Sequence, residues 1–212
     1  MREISVILDL GTWLKEDYVP KFKLIQEPFF KKELENPDTI LILSGGHTNP
    51  LLPYISEAEY KLKLLISDGF SAQRIFVENR AIRTTQNLKF SFRLISILGI
   101  KIKRLIITGE ESSKREVLWL APKYSYSSLG YIPKIEYFGV PYLNQRGKRK
   151  KETAFYLIVA AYYFPPLDCM LTWWRKFTIR LKCFQFRKII CKNLTSLGCE
   201  DCVFLKHKVR TK

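Results

Sequence analysis

The chain reads as an α/β protein: a three-layer fold with a mainly parallel sheet of about five strands, plus a basic C-terminal extension. Three observations predict it. Short apolar, β-branched-rich runs alternate with amphipathic stretches of helical period. The strand runs are predominantly apolar, as strands are when helices cover both faces of a sheet. The links between runs are short, which implies right-handed crossovers and parallel neighbours.

The elements follow in order. Residues 4–10 read as the first strand, and residues 19–34 as the first helix. Residues 39–43 form the second strand and 56–67 the second helix, with Tyr60, Leu64 and Leu65 on one face. Gly69 follows this helix, where a left-handed cap residue is needed. Residues 74–77 are the third strand and 84–98 the third helix, with Leu88, Phe92 and Ile95 on one face and Gly99 as its cap. Residues 104–107, a helix at 113–120 and a strand at 134–138 complete the sheet. The basic run at 146–151 then separates body from tail. Residues 152–164 read as one more helix on the domain, ended by Pro165-Pro166. The domain is therefore expected at 1–164 and the extension at 165–212, the later residues not being required for the core.

At 212 residues, 47% hydrophobic and 26% charged, the chain is globular in composition and long enough for one well-cored domain plus an extension. The net charge of +16 is unevenly placed. Residues 1–145 hold 20 Lys/Arg against 16 Asp/Glu, or +4, and residues 146–212 hold 16 against 4, or +12. All five cysteines (Cys169, Cys183, Cys191, Cys199 and Cys202) also lie in the tail. An odd count and a cysteine-free body argue against a secreted disulfide framework. The apolar run in residues 1–9 is too short for a signal sequence and contains an acid. The nearest spanning candidate, 154–174, is broken by Pro165-Pro166 and Asp168. The expected location is cytoplasmic or peripheral to a membrane.

Three strand ends carry polar or glycine residues, which is where open α/β sheets bind ligands. The second strand ends in Ser44, Gly45, Gly46 and His47. Paired glycines let backbone N–H groups approach an anion closely, and also make tight turns. A lone loop histidine is read as solvated. The third strand ends in Glu78, followed by Thr84, Thr85 and Asn87. A threonine near a helix start is a good cap. That accounts for one hydroxyl and leaves the acid at the strand end unexplained. The fourth ends in Thr108, then Ser112, Ser113, Arg115 and Glu116. Ser112 or Ser113 is positioned to cap the next helix, with Glu116 closing a capping box from Ser113. Arg115 would sit in the first turn, where a cation opposes the helix dipole, so a bound anion accounts for it better than helix stability does.

Together these motifs resemble the SanA/YdcF/ElyC-like envelope proteins, the family called domain of unknown function 218. The matches are Ser44-Gly45-Gly46, Ser56-Glu57-Ala58, Glu78 with Thr84 and Asn87, and Thr108 with Arg115, over roughly residues 4–160. The departures are Ala81, Arg83 and Gln86 in the third motif and Gly109 and Ser112 in the fourth. Ser112 stands where the family has a histidine suited to general acid–base work. The resemblance implies a Rossmann-like fold and a pocket at the strand ends. It further implies a small anionic ligand, nucleotide-like or phosphorylated, with S-adenosylmethionine one such ligand and envelope or polysaccharide precursors the metabolic setting. On this reading Glu78 acts as base or hydroxyl acceptor and Arg115 holds a phosphate or carboxylate. Ser44, Gly45, Gly46, Glu57, Thr84, Asn87 and Thr108 line the ligand, with Asn87 orienting it. A transferase or hydrolase and a catalytically silent binding or scaffold protein both remain open.

The tail interleaves Trp173, Trp174, Phe177, Phe184 and Phe186 with Arg175, Lys176, Arg180, Lys182, Arg187 and Lys188, and Lys192 follows. Such a mixture suits an anionic membrane surface through residues 173–192. Nucleic acid is the lesser alternative, and a solvated extension is the plain one. Cys191, Cys199, Cys202 and His207 offer one Cys-x2-Cys step and no second ligand pair, so reduced thiols are preferred to zinc.

Overall fold

The computed structural model describes residues 3–10, 22–48, 54–141 and 148–195, with side chains described only for 155–181 in the last stretch. Five strands form one sheet: β1 (Glu3–Asp9), β2 (Thr39–Ser44), β3 (Ile75–Glu78), β4 (Lys101–Glu110) and β5 (Lys134–Val140). Their order is β3-β2-β1-β4-β5, and every neighbouring pair is parallel. The helices are α1 (Glu27–Leu34), α2 (Glu57–Ser67), α3 (Thr84–Ile97), α4 (Lys114–Leu129), α5 (Lys148–Tyr163) and α6 (Pro165–Thr195).

The three layers follow from the period-2 alternation of the strands. Val6, Leu8, Ile42, Leu105 and Ile107 point to one face and pack on Leu88, Phe92 and Ile95 of α3 and Val117, Leu120 and Ala121 of α4. Ile7, Leu41, Leu43 and Ile106 point to the other and pack on Phe30 and Leu34 of α1 and Ala58 and Leu65 of α2. Each fully buried Leu, Ile or Phe contributes about 1.5–3 kcal/mol of burial free energy, so both faces must be covered for the sheet to be stable. The expected fold class is the observed one.

Several boundaries differ from expectation for identifiable reasons. The stretch at 22–34 is a π-helical turn, Phe22–Gln26, followed by α1, whose start places Pro28 in its first turn, where a proline is tolerated. Strand β4 runs to Lys101 and Glu110, well beyond 104–107, because it is paired along its length by β1 on one side and β5 on the other. Helix α4 does not stop near residue 120 but continues through Pro122. Proline removes one backbone bond, and the buried Val117, Leu120, Ala121 and Ser125 carry the helix across it. Ser113 makes no side-chain cap; the chain enters α4 from a 3-10 turn in which the Ser112 hydroxyl donates to Glu110 at 3.3 Å. The capping box sits instead on α2, where Glu59 N–H donates to Ser56 Oγ at 3.1 Å and Ser56 N–H to Glu59 Oε2 at 2.9 Å. Gly69 and Gly99 adopt the left-handed φ expected of them, +87° and +64°.

The prolines end α5 as expected and also begin α6. Pro165 is its first residue, where the absent N–H would have had no helical partner. Helix α5 packs on the domain through Trp119, whose ring meets Phe155 at 6.1 Å and Tyr162 at 5.5 Å. None of the described buried hydrophobic residues belongs to α6. No described helix is long and apolar enough to cross a membrane.

Candidate functional site

Strand order reverses between β1 and β4, so the carboxyl ends of these strands border the crevice where such sheets take ligands. The floor there is a closed polar cluster. Asp9, the last residue of β1, is fully buried. Its carboxylate accepts the Thr108 hydroxyl at 2.6 Å, the Gln26 amide at 3.0 Å and the Lys61 ammonium. Lys61, also fully buried on α2, donates to the Leu10 carbonyl at 3.1 Å. Burying an ion pair is tolerated only when further hydrogen bonds satisfy both ions, and these do. The sequence reading missed this pair. An acid between Leu8 and Leu10 at a strand end is the same kind of signal as Glu78. Nothing marked Lys61, which lies in an amphipathic helix.

The Ser44-Gly45-Gly46 turn joins β2, the loop after β3 and the start of α2. Ser44 Oγ donates to Glu78 Oε2 at 2.8 Å, while Glu78 Oε1 accepts the N–H groups of Arg80 and Ala81 at 2.8 and 3.2 Å. Gly45 N–H donates to the Glu78 carbonyl at 2.9 Å and Gly46 N–H to the Ala81 carbonyl at 2.6 Å. The two amides expected to cradle an anion therefore hold the neighbouring loop. Their carbonyls accept from Ala58 and Glu57, fixing the first turn of α2. Gly46 is required by close approach: a Cβ there would lie 2.6 Å from the Ala81 carbonyl oxygen and 2.9 Å from that of Asn79.

Above this floor lies a cleft of about 290 Å³. Its walls come from Thr48 and Glu57, the turn from Arg83 to Asn87, Glu116 of α4, Ile158 of α5 and Arg175 of α6. Glu57 is buried and accepts the Thr48 hydroxyl. Burial pushes its carboxyl up to about 7, against the pull of that hydroxyl, Lys61 and Arg175. Burial likewise pushes the Arg175 guanidinium down, with Glu57 opposing. Thr85 and Asn87 are each only 5% exposed, and among the described residues Thr85 Oγ1 and Asn87 Oδ1 have no hydrogen-bond partner. Leaving a buried polar atom unpaired costs about 1–3 kcal/mol. No side chain caps α3, whose N-cap is Arg83, so its positive end also faces the cleft. Arg83 is tied to α6: its Nη1 donates to Asp168 Oδ1 at 2.8 Å, the Asp168 carbonyl at 3.2 Å and Thr172 Oγ1 at 3.0 Å.

The residues singled out from the sequence divide three ways. Glu57, Thr84 and Asn87 line the cleft. Ser44, Gly45, Gly46, Glu78 and Thr108 form the turn and the floor beneath it. Arg115 is exposed, its guanidinium 4.4 Å from the Phe155 ring centroid and 5.9 Å from that of Tyr156. Adjacent helical residues point about 100° apart, and that rotation presents Glu116 to the cleft in place of Arg115. The arginines at the cleft are Arg83, one of the departures from the family pattern, and Arg175 of the tail. His47 is exposed, as is the free thiol of Cys169. Cys199, Cys202 and His207 lie outside the described residues, as do the side chains of Cys183 and Cys191. Among the described residues no group of His, Cys, Asp and Glu is arranged to hold a metal ion. No protein-family model, curated protein or solved structure matches the chain.

Proposed function

We propose that the cleft binds a small anionic ligand that also carries hydroxyl or amide donors, and that Glu57 exchanges a proton with it. The observation that carries this reading is the pairing of Glu57, a buried acid titrating at about 7, with Arg175 across one cleft. A group poised near neutral pH serves as acid or base, and a partly buried guanidinium takes a phosphate or carboxylate. Thr84, Thr85 and Asn87 line the same cleft and offer polar side chains for the donors of the ligand. This chemistry fits a nucleotide-like or phosphorylated compound such as an envelope or polysaccharide precursor, with S-adenosylmethionine a further candidate. It agrees with membership of the SanA/YdcF/ElyC-like family, as a divergent transferase or hydrolase. Glu78, engaged by three donors of its own neighbourhood, is better suited to shaping the loop than to catalysis.

Melting temperature measured with nucleotide-sugars, nucleotides and S-adenosylmethionine tests the site. A ligand at a hundred times its Kd stabilises by about 2.7 kcal/mol. Arg175→Ala and Asn87→Ala should remove that gain. Stabilisation that persists unchanged in both variants would place the ligand elsewhere.

A second reading is a catalytically silent binding or scaffold protein attached to an anionic membrane surface by its basic tail. Ser112 at the family's histidine position favours it, as does the charge of the tail. Turnover decides between the two: Glu57→Gln should keep ligand and lose turnover in an enzyme, whereas a silent protein binds without turnover in either form.

A further inference from the structure

We infer that α6 is a two-faced helix that lies flat on an anionic bilayer with one face while its other face roofs the cleft. The inference rests on the surface-attachment reading for its partner and adds the face that makes contact. Met170, Trp173, Trp174, Phe177 and Leu181 are all exposed, between 41% and 63%. At about 100° per residue they fall within one stripe roughly a third of the circumference wide. Trp173 and Phe177 stack with centroids 5.7 Å apart and planes 6° from parallel, and Trp174 meets Phe177 at 6.0 Å. The middle of the stripe is thus a continuous aromatic surface, with Met170 and Leu181 at its ends. Asp168, Thr172 and Arg175 fall on the opposite side of the helix. Asp168 and Thr172 hold Arg83, and Arg175 enters the cleft.

The charge beside the stripe selects the occupant. Lys176 and Arg180 are exposed along its flank, and Lys182, Arg187, Lys188 and Lys192 follow in the same helix. Residues 146–212 carry +12. An aromatic stripe flanked by cations on a helix too polar to span is the pattern of an interfacial helix on anionic lipid. From Met170 to Leu181 the stripe is about 16 Å long, about half the thickness of a hydrocarbon core and ample for lying along its surface. A ligand reaching the cleft would then meet the protein at the membrane plane.

The test is co-sedimentation of the full chain with phosphatidylcholine vesicles and with mixed phosphatidylcholine–phosphatidylserine vesicles, alongside binding to single-stranded DNA. The protein should sediment with the mixed vesicles, and the triple variant Trp173→Ala/Trp174→Ala/Phe177→Ala should bind them at least about tenfold more weakly, with an unchanged melting temperature. Quenching of tryptophan fluorescence by brominated lipid should occur in the wild type and largely disappear in Trp173→Phe/Trp174→Phe, a readout that does not depend on the triple variant folding. If the wild type sediments and the variants sediment and quench alike, the proposed face is wrong while attachment stands. If the wild type stays in the supernatant, or binds only DNA with a steep salt slope, attachment and face both fail.

Discussion

Two buried carboxylates, Asp9 at the end of β1 and Glu57 at the start of α2, have opposite surroundings. Asp9 in the floor is met by an ammonium, a hydroxyl and a carboxamide, and is sealed from solvent. Glu57 in the cleft wall is met by one hydroxyl and opens onto a cavity that Arg175 also lines. The floor is electrostatically complete, so its role is to join β1, β4 and α2. The wall has a titratable acid, a half-buried arginine and two buried polar atoms that find no hydrogen-bond partner among the described residues. The contrast teaches that a buried polar residue becomes a candidate for chemistry when its surroundings leave it unsatisfied.

The largest expected effect breaks the floor. Lys61→Met leaves the Asp9 charge buried without its counter-ion and should cost about 3–5 kcal/mol in chemical denaturation. Adding Asp9→Asn to the same chain should recover most of that loss. A double variant no more stable than the single one would mean that the ion pair is not the reason.

The second effect sharpens the wall. Glu57 holds its proton more tightly folded than unfolded, at about 7 against an ordinary 4.5. Below the lower value both states are protonated and no stability is lost. As pH rises from there to about 7, the unfolded chain releases its proton first and stability falls, by an amount on the order of 3 kcal/mol. Glu57→Gln should lack this fall, so its stability should gain on the wild type across that window. Parallel stability–pH curves for the two proteins would contradict the placement of Glu57.

Smaller effects probe the joints between the two regions. Gly46→Ala drives a methyl against two backbone carbonyls and should cost about 1–3 kcal/mol, with loss of cleft ligand. Unchanged stability would show that the turn relaxes freely. Arg83→Ala removes a pair with Asp168, whose side chain is 41% exposed, so the global cost should stay below about 1 kcal/mol. Its signature is local: amide exchange at the start of α6 should quicken, and exchange at the wild-type rate would deny that Arg83 holds the helix.

Much of the fold was legible because each strand is a short, predominantly apolar run and α2 and α3 have an apolar face at three-to-four spacing. The ends of β4 and α4 were less so. Strand pairing on both sides extends β4, and core packing carries α4 over Pro122, where local propensity alone ends the helix. In the site, Thr84 and Asn87 were legible from their place at a strand-to-helix turn, and Glu57 only through the resemblance to a family motif. Arg175 was not, because it reaches the cleft from another helix more than a hundred residues beyond Glu57 in the chain.

By itself the sequence determined the alternation of elements, and with it a parallel sheet between helices with polar strand ends. These are properties of local pattern: side-chain period, apolar content and the placing of glycine and proline. Tertiary structure decided which polar groups are occupied and which are left open. Asp9 is neutralised by a residue 52 positions away, and Arg83 is engaged by one 85 positions away. The amides of Gly45 and Gly46 are occupied by a loop from the neighbouring strand. Hydrogen-bond satisfaction and desolvation depend on everything packed around a group, so they exist only once distant segments have met.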